Sequence, residues 1–176
     1  MNTTADYLRE MQLNTGESLD NLSDKSPVLL VFLRHFGCTF CREAMADLAK
    51  RRKSMEENGM QLVFVHMADN ETAERYFNRY DLAGVAHISD PDCEYYIKFR
   101  LAKGNFRQLF GLQSWMRGFS AGVVQGHGIG AQLGDGFQMP GVFVIKNGKI
   151  IEKFIHKLSS DRPDYDKLVR CCSVVG

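Results

Sequence analysis

The strongest pattern in the chain is VLLVFL at residues 28–33, apolar at every position and rich in branched side chains. That run predicts a strand covered on both faces, as in a parallel sheet lying under helices. The period then changes. Ala44, Met45, Leu48, Ala49 and Met55 fall at helical spacing, with Lys50, Arg51, Arg52 and Lys53 in the later turns, where cations suit the helix dipole. Asn58-Gly59 predicts the stop. MQLVFVHMA at 60–68 predicts a second buried strand, and ETAERYFNRY at 71–80 a helix carrying Tyr76, Phe77 and Tyr80. GVAHISDPD at 84–92 predicts a third short strand ending in a turn, and 93–100 one or two helical turns. Ahead of the first strand, 3–13 suits a short amphipathic helix with Tyr7, Leu8 and Met11 on one side. The polar stretch TGESLDNLSDKSP at 15–27 reads as turns with one short extended piece.

Residues 104–139 are rich in Gly, Phe and Gln and lack a clean period, which predicts a partly helical half followed by a long loop. Next, GVFVIKNGKIIEKFIH at 141–156 reads as a hairpin, because Asn147-Gly148 separates two apolar alternating runs. SSDRPDYDKLVRCC predicts a final helix with Pro163 in its first turn. The four prolines, at 27, 91, 140 and 163, all fall at element boundaries in this parse. The resulting order predicts an α/β fold: a central mixed β-sheet flanked by helices, with a C-terminal β-hairpin and helix.

Composition narrows the choices. The 176 residues suit one domain, 1–176, and are 44% hydrophobic and 24% charged, as in ordinary globular proteins. A formal net charge of +1 gives no electrostatic case for nucleic acid or an anionic membrane as partner. The apolar run at 28–33 is far too short to span a bilayer. The acidic N-terminal stretch MNTTADYLREMQLNTGE has no apolar core of the kind a secretory signal needs. With an odd count of five cysteines, this predicts a reducing, cytoplasmic compartment, where a close cysteine pair is catalytic or metal-binding more often than structural.

Such a pair, Cys38 and Cys41, stands where the first strand gives way to a helix. Unpaired N–H groups and the positive helix end favour an anion there. Cysteines in this setting have pKa values lowered from about 8.5 to between roughly 3.5 and 7.5. Two intervening residues let the sulfurs meet within one turn, so that one thiolate attacks and the other resolves the product as a disulfide. A zinc site needs four ligands, and no second Cys-x-x-Cys or His-x₃-His spacing is present. Inert buried thiols are the remaining alternative. The junction favours the redox pair over both, with no metal and no organic cofactor.

The stretch VLLVFLRHFGCTFCREAMADLAK resembles the thioredoxin-like superfamily, and more closely the peroxiredoxin-like proteins of the alkyl hydroperoxide reductase and thiol-specific antioxidant group. Arg34, Gly37, Cys38, Cys41, Arg42 and Glu43 match that pattern, and Gln138-Met139-Pro140-Gly141-Val142-Phe143-Val144 resembles the segment before the family's C-terminal hairpin. The likeness covers roughly residues 15–170. It implies a thioredoxin-like fold and a thiol oxidoreductase cycling through a Cys38–Cys41 disulfide. It also implies a thioredoxin- or glutathione-type thiol reductant as partner, a peroxide or protein disulfide as substrate, and Arg34, Gly37 and Pro140 in supporting roles. A cis peptide before Pro140, facing the pair, is a further implication. In the peroxiredoxin register Cys41 takes the peroxidatic position, Cys38 that of the threonine and Arg34 that of the proline. The resemblance therefore does not fix peroxide as the substrate, and it leaves the attacking cysteine open. Cys38, as the exposed first member of such pairs, is one assignment; the peroxiredoxin register favours Cys41. The alternative in another class is a redox-sensing or binding module without turnover. Exposed sheet edges allow a homodimer.

Other candidates read more plainly. Arg34 stabilises a thiolate or pairs with Glu43 or solvent. His35 reads as structural rather than a base. Gly126-His127-Gly128-Ile129-Gly130 follows no parsed strand, fails the context of a phosphate loop and reads as a flexible loop. Phe106, Phe110, Trp115 and Phe119 read as core, with a pocket near the pair as the alternative. Cys171-Cys172 reads as a frayed helix end rather than a distant resolving pair. Lys50-Arg51-Arg52-Lys53 reads as a solvated helix face.

Overall fold

In the computed structural model the chain is described over residues 4–101, 103 and 137–173. The expectations for the aromatic and glycine-rich stretch at 104–136 lie outside these residues. The described elements run α1 (Thr4–Glu10), α2 (Leu19–Lys25), β1 (Val28–Phe32), α3 (Thr39–Glu57), β2 (Gln61–His66), α4 (Asn70–Arg79), β3 (Ala86–Ser89), α5 (Glu94–Lys98), β4 (Gly141–Lys146), β5 (Lys149–Ile155) and α6 (Tyr165–Ser173).

The strands form one mixed sheet in the order β3-β2-β1-β4-β5. β1 pairs parallel with β2 and antiparallel with β4, so it is central and all five of its residues are buried. Its side chains alternate between two cores. Leu29, Val31 and Leu33 pack with α3, α4 and α6 through Met45, Leu48, Phe77 and Leu168. Val28, Leu30 and Phe32 pack with the α1 and α5 side through Leu8, Met11, Tyr96 and Phe99. Burying each such side chain contributes about 1.5–3 kcal/mol, which explains why the run is apolar at every position. No helix of the described residues is long and apolar enough to cross a membrane.

Three expectations are corrected. The stretch read as turns contains the helix α2. Ser18 caps it by accepting from the Asn21 amide at 3.2 Å, Leu19 is buried, and Ser23 anchors the tip of the β4–β5 hairpin. The Ser23 carbonyl accepts from the Asn147 amide at 3.0 Å and its hydroxyl from the Gly148 amide at 2.9 Å. Polar residues with turn preferences are thus held helical by docking on a distant hairpin. That hairpin turns as expected, with φ of 50° at Asn147 and 66° at Gly148. Secondly, Pro163 precedes the last helix instead of entering it. The Asp164 carboxylate accepts from the Lys167 amide at 2.9 Å and caps the helix, which begins at Tyr165. Finally, no cis peptide occurs among the described residues, so Met139–Pro140 is trans, the isomer that most X–Pro bonds adopt.

Candidate functional site

β1 delivers the chain to residues 33–38, a short turn that must leave the sheet and start α3. Leu33 continues the β1–β2 ladder, donating its amide to Val65 O at 2.9 Å. The turn is pinned from below and from the side. Arg42, buried on α3, donates its Nε–H to Phe36 O at 2.7 Å, and its guanidinium lies 5.6 Å from the Tyr76 ring centre. Phe36 stacks on the same Tyr76 ring at 4.7 Å. Gly37 is buried in this turn. The Cys38 amide closes it onto His35 O at 3.0 Å.

Cys38 is the N-cap residue of α3, with extended backbone (φ −75°, ψ 124°), and Cys41 lies in the first turn. Both are free thiols, and both are buried, 6% and 4% exposed. The expectation that Cys38 is the exposed member is therefore corrected: the turn and the start of α3 pack both sulfurs into the core on the α3 side of the sheet. The two cysteines sit in different fields. A hydrogen bond from the Cys41 thiol, aided by Arg34, pulls the Cys38 pKa down to about 6 against the opposing effect of burial. Its place at the helix N-terminus acts in the same direction. The Cys41 thiol is pushed well above its ordinary value, because it donates to Cys38, is buried and faces the Cys38 charge.

Arg34 contributes twice. Its Nη1 lies 3.5 Å from the Cys38 sulfur, and its backbone N–H donates to the Cys41 sulfur at 3.2 Å. Glu43 has its carboxylate 2.8 Å from Arg162 Nη2. His35 is buried, and its Nδ1 has no hydrogen-bond partner among the described residues. Burial, then Arg34 and Arg42, lower its pKa to about 4, so it is neutral at pH 7. The cation run on α3 is partly engaged: Arg51 meets Asp166 at 3.3 Å and Arg52 meets Glu56 at 2.7 Å.

A cleft of about 180 Å³ opens on the pair. Cys38, Cys41, Arg34 and Pro140 all line it, so the fold gathers these expected site residues around one space. His156, Arg162 and Tyr165, which the sequence did not single out, line it too. Arg162 also binds Asp47 at 2.7 Å, so it ties the segment after β5 to two carboxylates of α3. His156 has a buried Nδ1 with no hydrogen-bond partner among the described residues, and a pKa lowered by burial to about 4. No local motif marks these residues in the sequence; they enter the site because β5 and α6 fold back against α3. Cys171, by contrast, is tied within its own helix through Leu168 O at 2.8 Å. Among the described residues no three His, Cys, Asp or Glu side chains gather as a metal site needs.

Known proteins align with this architecture. The family model described as the AhpC/TSA family matches residues 7–154. The thioredoxin-like protein AAED1, chloroplastic, of Arabidopsis thaliana is 24% identical over 177 residues, covering 91% of this chain and 71% of its own. Peroxiredoxin-like 2A of Homo sapiens is 28% identical over 150 residues, covering 82% of this chain and 63% of its own. Among solved structures, Peroxiredoxin Q of Xanthomonas campestris superposes with a TM-score of 0.64 at 12% identity, covering 94% of this chain and 89% of that one. The fold is thioredoxin-like.

Proposed function

The chain belongs to the AhpC/TSA family, and from that premise we propose that it is a thiol-dependent oxidoreductase cycling through a Cys38–Cys41 disulfide. One observation carries the reading. Cys38 stands at the N-cap position of α3 beside a hydrogen-bonding Cys41 and the Arg34 guanidinium, with its pKa lowered to about 6. At neutral pH it is a thiolate, the form that attacks. With a hydroperoxide as substrate, the Cys38 thiolate attacks the terminal oxygen and breaks the O–O bond. The alkoxide leaves as the alcohol after taking a proton, and Cys38 becomes a sulfenic acid. Cys41 then attacks that sulfur. Its proton and the departing hydroxide leave as water, and the disulfide forms. An external thioredoxin- or glutathione-type dithiol returns two electrons and two protons. With a protein disulfide as substrate, the same thiolate forms a mixed disulfide that Cys41 resolves.

The burial of both sulfurs, 6% and 4% exposed, supports a second reading, a redox-sensing module that oxidises without rapid turnover. One experiment separates them: stopped-flow and mass-spectrometric analysis of the reduced protein with hydrogen peroxide, using wild type, Cys38→Ser and Cys41→Ser. Rapid disulfide formation in wild type, with sulfenic acid accumulating in Cys41→Ser alone, is the expected result. If Cys38→Ser accumulates it instead, the roles are reversed. A rate no faster than a free thiol's would overturn the peroxidase arm. Failure of Cys41→Ser to trap a mixed disulfide with protein substrates would remove the reductase arm and leave the sensor.

A further inference from the structure

Tyr96 lies on α5, on the opposite side of the sheet from α3, and is fully buried. A buried phenol needs a partner for its hydroxyl. Here the Tyr96 hydroxyl donates to Leu33 O at 2.5 Å, with Val65 O at 3.2 Å. The Val65 carbonyl already accepts from the Leu33 amide, so the phenol closes the last rung between β1 and β2. The Leu33 carbonyl belongs to the same peptide unit as the Arg34 N–H, and that N–H donates to the Cys41 sulfur at 3.2 Å. A continuous chain results: Tyr96 O–H to Leu33 C=O, through the peptide, then Arg34 N–H to Cys41 Sγ. A hydrogen bond accepted at a carbonyl polarises its amide and strengthens the N–H as a donor.

We infer that Tyr96 is a positioning residue for Cys41, aiming and polarising the Leu33–Arg34 peptide whose N–H stabilises negative charge on that sulfur. The inference builds on the proposed disulfide cycle, in which Cys41 must lose its proton as it attacks. The hydrogen bond to Cys38, burial and the Cys38 charge all disfavour the Cys41 thiolate in the reduced protein. The backbone groups of His35 and Arg34 oppose them, so the thiolate depends on how well those peptides are aimed. Tyr96 itself remains protonated, burial raising it well above its ordinary range. It therefore acts as a fixed hydrogen-bond donor and not as a proton shuttle.

The test reads the proton of Cys41 directly, in the Cys38→Ser protein, by following the Cys41 Cβ chemical shift against pH. This readout needs neither turnover nor a disulfide, so it stands even if the proposed cycle fails. Tyr96→Phe keeps the ring and removes the hydroxyl. The expected result is a Cys41 midpoint about 0.5 pH unit or more higher, a roughly threefold fall in the thiolate-to-thiol ratio. Tyr95→Phe, which loses a hydroxyl bonded to Glu10 O at 3.1 Å on the neighbouring residue of α5, should leave the midpoint unchanged. If Tyr96→Phe does not fold, 3-fluorotyrosine placed at position 96 keeps the packing and makes the hydroxyl a stronger donor. The midpoint should then move down. A midpoint that stays in place in either variant, with or without lower thermal stability, would reduce Tyr96 to a structural residue and overturn the inference.

Discussion

The guanidinium of Arg34 lies 3.5 Å from the sulfur of Cys38, while the amide of the same residue donates to the sulfur of Cys41. One residue at the end of β1 thus touches both members of the pair by different atoms. The side-chain contact is separable by mutation; the backbone contact is not. Arg34→Met should raise the Cys38 midpoint from about 6 by roughly 1 pH unit, with little change at Cys41. Iodoacetamide alkylation against pH, with the modified cysteine identified by mass spectrometry, checks it. An unmoved Cys38 midpoint would mean that Cys41 and the helix start suffice.

Buried histidines set an acid limit on the fold. His66 Nε2 and His87 Nδ1 share a hydrogen bond at 2.9 Å, which needs one ring to accept and so to be neutral at that nitrogen. Burial and then the neighbouring His87 lower the His66 pKa to about 3; burial and then Arg34 and Arg42 lower that of His35 to about 4. An unfolded imidazole takes its proton near 6.5. Between these values the unfolded state binds more protons, so stability rises with pH and falls as pH drops below about 6.5. At pH 5 each of these two rings should cost about 2 kcal/mol relative to pH 7. Urea unfolding at the two pH values measures the loss, and His66→Gln should flatten the slope.

Arg162 anchors the segment between β5 and α6 to α3. Glu43 is 3% exposed while Arg162 is 41% exposed, so the carboxylate depends on this partner more than the guanidinium does. Arg162→Ala should lower stability by about 2–3 kcal/mol, because it strips a charged hydrogen bond from a buried acid. Arg162→Lys should recover part of this. Equilibrium denaturation of the two variants checks the order; equal losses would argue against the pairing.

The hairpin tip carries a steric demand. Gly148 has φ of +66°, and a Cβ built there would sit 2.9 Å from Asp20 Oδ1. Gly148→Ala should therefore cost about 1–2 kcal/mol from the left-handed backbone alone. The added contact should also loosen α2. Hydrogen exchange at the Asn147 and Gly148 amides, both held by Ser23, should quicken in that variant.

Much of this fold was legible because its signals are local. VLLVFL is apolar at every position because both faces of β1 are covered, and Asn147-Gly148 marks its turn because those residues accept positive φ. The Cys-x-x-Cys pair could be placed at a helix start for the same reason: the change of period is written within a few residues. α2 was not legible. Ser18, Asp20, Asn21 and Ser23 favour turns in isolation, and what holds them helical is a cap and a hairpin from the other end of the chain.

The sequence by itself determined the order of the strands and of the helices other than α2, the central buried β1 and the two sulfurs within one helical turn, because those depend on periodicity and spacing. Tertiary structure alone decided that both sulfurs are buried, that Arg162 and His156 share their cleft, and that Tyr96 stands behind Cys41 through one peptide group. These depend on chain segments far apart in sequence meeting across a sheet, and no local propensity encodes such a meeting.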